Sequence, residues 1–144
     1  MPKIAFHFNA PDKLAYACRL LRKATAGGVR LMVTAPTDEL VRLDTLLWTF
    51  SQTDFIAHAR APGHSDMLQA SPVVLAETSA AADLAHREVL LNLGGHMPAG
   101  FEAFERVIEV VSLDEEDRQL ARVRWKHYQG LGYDIQRHDL NLKS

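Results

Sequence analysis

Residues 4–34 read IAFHFNAPDKLAYACRLLRKATAGGVRLMVT, and this stretch decides the fold class. Ile4 to Phe8 is short, apolar and aromatic, the signature of a buried strand. Asn9-Ala10-Pro11-Asp12 then opens a helix, because proline fits the first helical turn and a polar side chain can cap its free N–H groups. Leu14, Ala17, Cys18, Leu21 and Ala24 recur at steps of three and four, which places them on one helical stripe. Gly27-Gly28 ends that helix, since glycine adopts the left-handed conformation that helix C-termini often need. Val29 to Thr34 is the second strand. Both strands are runs of apolar residues rather than alternations, as expected of a sheet covered on both faces.

The rest of the chain repeats this unit. Thr37-Asp38-Glu39 starts a second helix with acids near its positive end, and Leu40, Val41, Leu43, Leu47 and Trp48 supply its apolar positions. Phe55 to His58, Pro72 to Leu75, Val89 to Leu93 and Val107 to Val111 read as further strands, and Arg60 to Ser71 as a loop. Ala76 to Arg87 is ambiguous. Phe101 to Glu105 is a short helical turn, Leu113 to Tyr128 the last helix, and the segment after Gly130-Leu131-Gly132 is partly extended. Alternating strands and helices predict an α/β fold: a single three-layer domain, residues 1–144, with a mainly parallel, Rossmann-like sheet.

Composition narrows the function. The 144 residues carry 16 basic and 18 acidic side chains, a net charge of −2, too little positive charge to coat nucleic acid. The single cysteine, Cys18, excludes an internal disulfide or a multi-cysteine zinc site, and its place on the apolar stripe predicts a buried, inert thiol. No apolar run is long enough for a signal peptide or a membrane span, so a cytoplasmic protein is expected.

A search for catalytic or nucleotide-binding motifs returns little. The turn after the first strand has no glycine to let the backbone approach a pyrophosphate, and no Gly-Lys-Ser or Gly-Lys-Thr loop occurs. Gly94-Gly95 fits an ordinary turn or, less specifically, a phosphate site. His58, His64 and Asp66 lie close together and could serve a metal- or nucleotide-dependent enzyme, although their spacing matches no helical metal motif. No Gly-x-Ser-x-Gly elbow is present.

The last helix carries the informative surface. At 100° per residue, Leu113, Leu120, Ala121, Tyr128 and Leu131 fall near one direction, the expected core face. Arg118, Arg122, Trp125 and Gln129 form a second stripe turned away from the core, with Lys126 beside it. From Arg118 to Ser144 there are six basic and two acidic residues, a net +4, and the remainder carries ten basic and sixteen acidic, a net −6. Arginine suits carboxylates because its planar fork makes paired hydrogen bonds, and an adjacent tryptophan adds apolar contact area. The stripe therefore fits either an acidic peptide with a hydrophobic end or a solvated face whose tryptophan folds back onto the domain. Leu46, Leu47, Trp48, Phe50 and Phe55 similarly exceed what one helical stripe can bury, and read as core or as an aromatic-rich protein interface.

Three stretches resemble the chi subunit family of bacterial DNA polymerase III. They are Ala17-Cys18, the run Arg42-Leu43-Asp44-Thr45-Leu46-Leu47-Trp48 with Phe55-Ile56-Ala57-His58, and Gln119 to Tyr128. The resemblance extends from the first strand to the last helix. It implies a non-enzymatic accessory protein of the clamp loader, with no cofactor and a nucleotide-type fold without nucleotide motifs. Such proteins bind the acidic C-terminal tail of single-stranded DNA-binding protein, which ends in Ile-Pro-Phe, and the psi subunit. The matching tail-site positions are Val111, Arg118, Arg122, Trp125 and Lys126, with Trp125 at a place where the family can have tyrosine. The psi-site positions are Trp48 and Phe55. DNA is contacted only indirectly in this reading, and direct binding of single strands by the basic quarter is the weaker alternative.

Overall fold

The computed structural model describes residues 2–49, 58–60, 72–77 and 87–140. These form β1 (Lys3–Ala10), α1 (Lys13–Ala26), β2 (Leu31–Thr34), α2 (Thr37–Thr49), β3 (His58–Arg60), β4 (Val73–Ala76), β5 (Val89–Asn92), β6 (Arg106–Ser112), α3 (Glu115–Gly130) and β7 (Ile135–Asp139). A single 3-10 turn, Phe101–Ala103, precedes β6. The strands make one sheet in the order β3-β4-β2-β5-β6-β1-β7, and every pairing is parallel. The expected mainly parallel sheet is thus wholly parallel among the described strands. The extended segment after Gly132 is its seventh strand, at the edge beside β1.

Side chains along the strands alternate between two cores, which makes the domain three-layered. Leu31, Val33, Val73, Leu75, Ile108 and Val110 pack with Leu14, Leu21, Leu40, Leu43 and Leu47 of α1 and α2 on one face. Ile4, Phe6, Met32, Val74, Leu90, Val107 and Val111 pack with Phe101, Phe104, Ala121 and Tyr128 on the other, under α3. Helices on both faces explain why the strands read as continuous apolar runs.

The capping signals act as the sequence predicts at α1, but Pro11 lies before the N-cap, between β1 and α1, rather than in the first helical turn. Asp12 is the N-cap, its carboxylate accepting from the Ala15 N–H at 3.1 Å, and the helix closes at Gly27. Gly28 follows at φ +82°, a conformation that suits glycine. Cys18 is fully buried on the α1 stripe, and burial, with Asp12 nearby, pushes its thiol up to about 11. Buried thiols of this kind are poor nucleophiles.

Two expectations for the last helix need correction. Leu113 and Leu131 are 46% and 51% exposed, not core. Helix α3 begins after its Asp114 N-cap and ends at Gly130, so both leucines lie in its flanking turns, where the 100° step no longer applies. The face identified as buried includes Ala121 and Tyr128, but its third buried member is Arg124. Trp125, placed by periodicity away from the core, is half-buried against Phe6, whose ring centroid is 5.1 Å away. The cause is Phe6 on β1, which belongs to the second core and meets the Trp125 ring from the sheet.

Of the remaining sequence expectations, residues 50–57, 61–71 and 78–86 lie outside the described residues. Phe50, Phe55, His64 and Asp66 are among them.

Candidate functional site

A row of residues in register crosses the sheet from Thr34 on β2 to Asn92 on β5, Glu109 on β6, Phe6 on β1 and Arg137 on β7. Residues in one row of a parallel sheet project to the same face, here the face covered by α3. The row changes character along its length. Under the body of α3 it is polar and sealed. Beyond α3, at β1 and β7, it opens into a cleft.

The sealed part is a buried ionic network. Glu109 is wholly buried and accepts from Arg124 Nε at 3.0 Å, Asn92 Nδ2 at 2.9 Å and the Tyr128 hydroxyl at 2.8 Å. Asn92 also accepts from Thr34 Oγ1 at 3.1 Å and from the Gly94 N–H at 3.0 Å. Arg124 Nη1 donates to the Gly95 carbonyl at 2.9 Å, and its Nη2 is buried with no partner among the described residues. Burial pushes the Glu109 carboxyl above its ordinary range, while the Arg124 charge and the donated hydrogen bonds pull it back. Burial, together with the Glu109 charge, likewise pushes the Tyr128 hydroxyl up. The sequence did carry a signal for this pair. Arg124 shares a helical stripe with Ala121 and Tyr128, and Glu109 interrupts an otherwise apolar strand.

The open part is a cleft of about 390 Å³ between α3 and the ends of β1, β6 and β7. Phe6, Phe8, Val111, Ala121 and Trp125 line it with apolar surface, and Arg118, Arg122 and Arg137 bring charge to it. Arg118 and Arg122 are exposed on successive turns of α3. Arg122 Nη1 stands 3.7 Å from Glu115 Oε1, a loose pair open to water on both sides. The Arg137 guanidinium lies 5.3 Å from the Phe8 ring centroid and 5.8 Å from that of Trp125, within cation–π range.

The rim of β1 is shaped by a local irregularity. The β1–β6 register shifts between His7 and Ala10, and Asn9 sits in the left-handed region at φ +67°. Asparagine tolerates that conformation better than most residues. Here its side chain is also tied, Nδ2 donating to Asp139 Oδ1 on β7 at 2.8 Å.

Four of the five residues singled out on the last helix and its preceding strand come together in this cleft: Val111, Arg118, Arg122 and Trp125. Lys126 is exposed but does not line it. Sequence reasoning missed Phe6, Phe8, Asn9 and Arg137. Phe6 and Phe8 were visible as aromatics two apart on a strand, whereas Arg137 reaches the cleft only through the pairing of β7 with β1.

The second highlighted surface lies on α2. Leu40, Leu43 and Leu47 are buried and Leu46 packs at the margin of their core, while Trp48 remains 60% exposed. Its ring is 5.3 Å from that of His58, in an edge-to-face arrangement. The buried His58 ring contacts Asp44 on α2, Nε2 to Oδ1 at 2.6 Å. His58 and Asp44 therefore fasten β3 to α2 beneath the tryptophan. Among the described residues, no group of three His, Cys, Asp or Glu side chains is placed to hold a metal ion.

Open parallel sheets take nucleotides in the crevice outside the carboxyl ends of their strands. That crevice exists here, about 550 Å³ between the starts of α1, α2 and α3. It is lined by Asp12, Glu39, Asp114, Glu116 and Asp117 against Lys13 and Arg42. Lys13 is already paired with Asp117 at 3.1 Å. Such a surface repels phosphate, which agrees with the absence of a glycine-rich loop after β1.

Fold and surface together define a Rossmann-like α/β domain whose nucleotide crevice is acidic and whose apolar, arginine-bearing cleft lies beside the last helix. No described helix is long and apolar enough to cross a membrane. Residues 1–136 match the family described as "DNA polymerase III chi subunit, HolC", and the chain belongs to that family. A curated relative, the DNA polymerase III subunit chi of Pseudomonas aeruginosa, is 34% identical over 130 residues, covering 89% of this chain and 87% of that protein.

Proposed function

We propose that this chi-family protein is a single-domain, non-catalytic, cytoplasmic adaptor of the replicase, working without a cofactor. It grips the acidic C-terminal tail of single-stranded DNA-binding protein in the cleft beside α3, and reaches the clamp loader through a psi subunit at the Trp48 and Phe55 surface. DNA is then engaged through the protein already coating it.

The observation that carries this reading is the chemistry of the cleft. Its Phe6, Phe8, Val111 and Trp125 surface suits an apolar Ile-Pro-Phe end. Arg118 and Arg122 suit the acids that precede it, with Lys126 nearby on the same helix. The exposed Trp48 supports the second surface, because a large aromatic left in water beside a buried brace is a common anchor of protein interfaces.

Titration of the protein with a peptide ending in Asp-Ile-Pro-Phe tests the cleft. Binding that weakens with added salt is expected, since exposed charge pairs are screened over about 10 Å at 0.1 M ionic strength. Arg122→Ala combined with Trp125→Ala should cost at least about thirtyfold in affinity, the scale of Arg and Trp hot spots at protein interfaces. Affinity unchanged in that double variant would remove the cleft from the reading.

A further inference from the structure

Trp48 is the penultimate residue of α2, and it is 60% exposed. The proposed anchor of the psi surface thus stands on the last turn of a helix, the part that frays most easily. That turn has no basic residue to complement the helix dipole. It is held instead from β3, a three-residue strand at the edge of the sheet, whose first residue is His58. The His58 ring makes two contacts with α2. Nε2 donates to Asp44 Oδ1 at 2.6 Å, and the ring meets that of Trp48 with centroids 5.3 Å apart and planes at 63°. Asp44 and Trp48 are four residues apart, so they share one face of α2 and the imidazole bridges the final turn between them. The His58 side chain is 1% exposed and that of Asp44 26%, which keeps most water away from the bond.

A carboxylate only accepts, so this bond places the imidazole proton on Nε2 and fixes the plane of the ring. That plane in turn decides where the indole can lie against it. Without such a wall, an exposed tryptophan on a helix end samples several rotamers, and a partner must order it on binding. A ring already held in place spares that cost. Resting on the psi reading above, we infer that Asp44 and His58 are positioning residues for Trp48: their hydrogen bond keeps the indole in the exposed pose that the psi subunit meets. Asp44 acts through His58 and His58 through its ring, so the pair affects docking by way of the tryptophan.

The test titrates a purified psi subunit against the intact protein, Asp44→Ala, Asp44→Asn, His58→Ala and Trp48→Ala, and against Asp44→Ala combined with Trp48→Ala. Urea unfolding confirms that each variant is folded. Time-resolved fluorescence anisotropy, with the other tryptophan removed by Trp125→Phe, follows the Trp48 indole with no partner present. Trp48→Ala should cost at least about thirtyfold in affinity, the scale of a tryptophan hot spot. Asp44→Ala and His58→Ala should each weaken binding about fivefold, the scale of ordering one large side chain, and should raise the fast component of the Trp48 anisotropy decay. Asp44→Asn keeps an acceptor for Nε2 and should restore most of both. In Trp48→Ala, adding Asp44→Ala should cost less than about twofold further, because the pair then has no ring to position. An equal cost in both backgrounds would make the pair a mere fastener of β3, and unchanged anisotropy in Asp44→Ala would mean that it does not hold the ring. Either result overturns the assignment while leaving the psi surface in place. Failure of the intact protein to bind psi overturns the psi reading and the docking role with it, whatever the anisotropy shows.

Discussion

Arg122 and Arg124 stand two residues apart on one helix and occupy opposite electrostatic worlds. Arg122 is exposed, loosely paired with Glu115 at 3.7 Å, and reaches the cleft. Arg124 is 1% exposed and locked to Glu109 at 3.0 Å and to the Gly95 carbonyl at 2.9 Å. A step of two residues turns an α-helix by about 200°, so neighbours at this spacing face opposite ways. The two sites use one chemical group for different ends. Water around Arg122 makes its pair weak and leaves the guanidinium available to a partner. Exclusion of water around Arg124 makes its partner indispensable, because an unpaired charge in the core has no solvent to support it.

The sharpest way to break this contrast is to remove each guanidinium in turn and read stability. Arg124→Ala strands the Glu109 carboxylate in the core and takes a donor from the Gly95 carbonyl. It should cost about 3–5 kcal/mol, read as a lowered midpoint in urea unfolding. Replacing both partners, Arg124→Met with Glu109→Leu, should recover most of that loss, because an apolar pair of similar volume leaves no buried charge. If Arg124→Ala unfolds at the same denaturant concentration as the parent, the network is not what holds α3 to β6.

The contrast also shows which parts of the molecule were legible from its residues. The βαβ pattern of residues 4–34 was legible because helix caps, glycine stops and apolar runs act locally, and Asp12, Gly27 and Leu21 take the roles their neighbours dictate. The α3 half of the cleft was legible for the same reason, since Arg118, Arg122 and Trp125 share one helix and its periodicity. Arg137 was not, because its place depends on β7 pairing with β1 across a separation of about 130 residues in the chain. The burial of Arg124 is not legible in composition, which treats every arginine alike, and only the Glu109 interruption in β6 marks a partner. Leu113 and Leu131 failed for a third reason, that helical phase stops at a helix end.

A smaller effect sharpens the comparison at a carboxylate whose environment is intermediate between those of the two arginines. Asp117, in the first turn of α3, accepts from the Ser112 N–H at 2.8 Å, from Ser112 Oγ at 3.0 Å and from Lys13 Nζ at 3.1 Å. It joins the end of β6 to the starts of α3 and α1. Burial raises its carboxyl, but the Ser112 and Lys13 interactions together outweigh that, so it ionises below its ordinary value of 3.8. The folded state therefore releases this proton more readily than the unfolded chain. The resulting stability is present above the ordinary carboxylate range and is lost as pH falls through the lowered folded value. Asp117→Asn should cost about 1–2 kcal/mol at neutral pH, the scale of hydrogen bonds to a charged group. The gap between variant and parent should close in unfolding measurements carried toward pH 3. A gap that stays constant with pH would mean that shape rather than charge makes the contribution.

The smallest expected effect concerns Glu115, the exposed counterpart of Glu109. Glu115 lies in the first turn of α3, where its charge favours the helix dipole, and it stands near Arg122 without a close hydrogen bond. Glu115→Gln should change stability by no more than about 0.5 kcal/mol, since exposed pairs contribute little. The same substitution removes a carboxylate that competes with any acidic ligand for Arg122. Affinity for an acidic peptide should therefore rise by about twofold at low salt, and the gain should vanish as salt screens both the pair and the ligand. Arg122→Ala should abolish the gain, because the effect then has no guanidinium through which to act. A rise that persists in Arg122→Ala would instead mean that Glu115 repels the ligand directly, and the weak pair beside the cleft would have no part in its affinity.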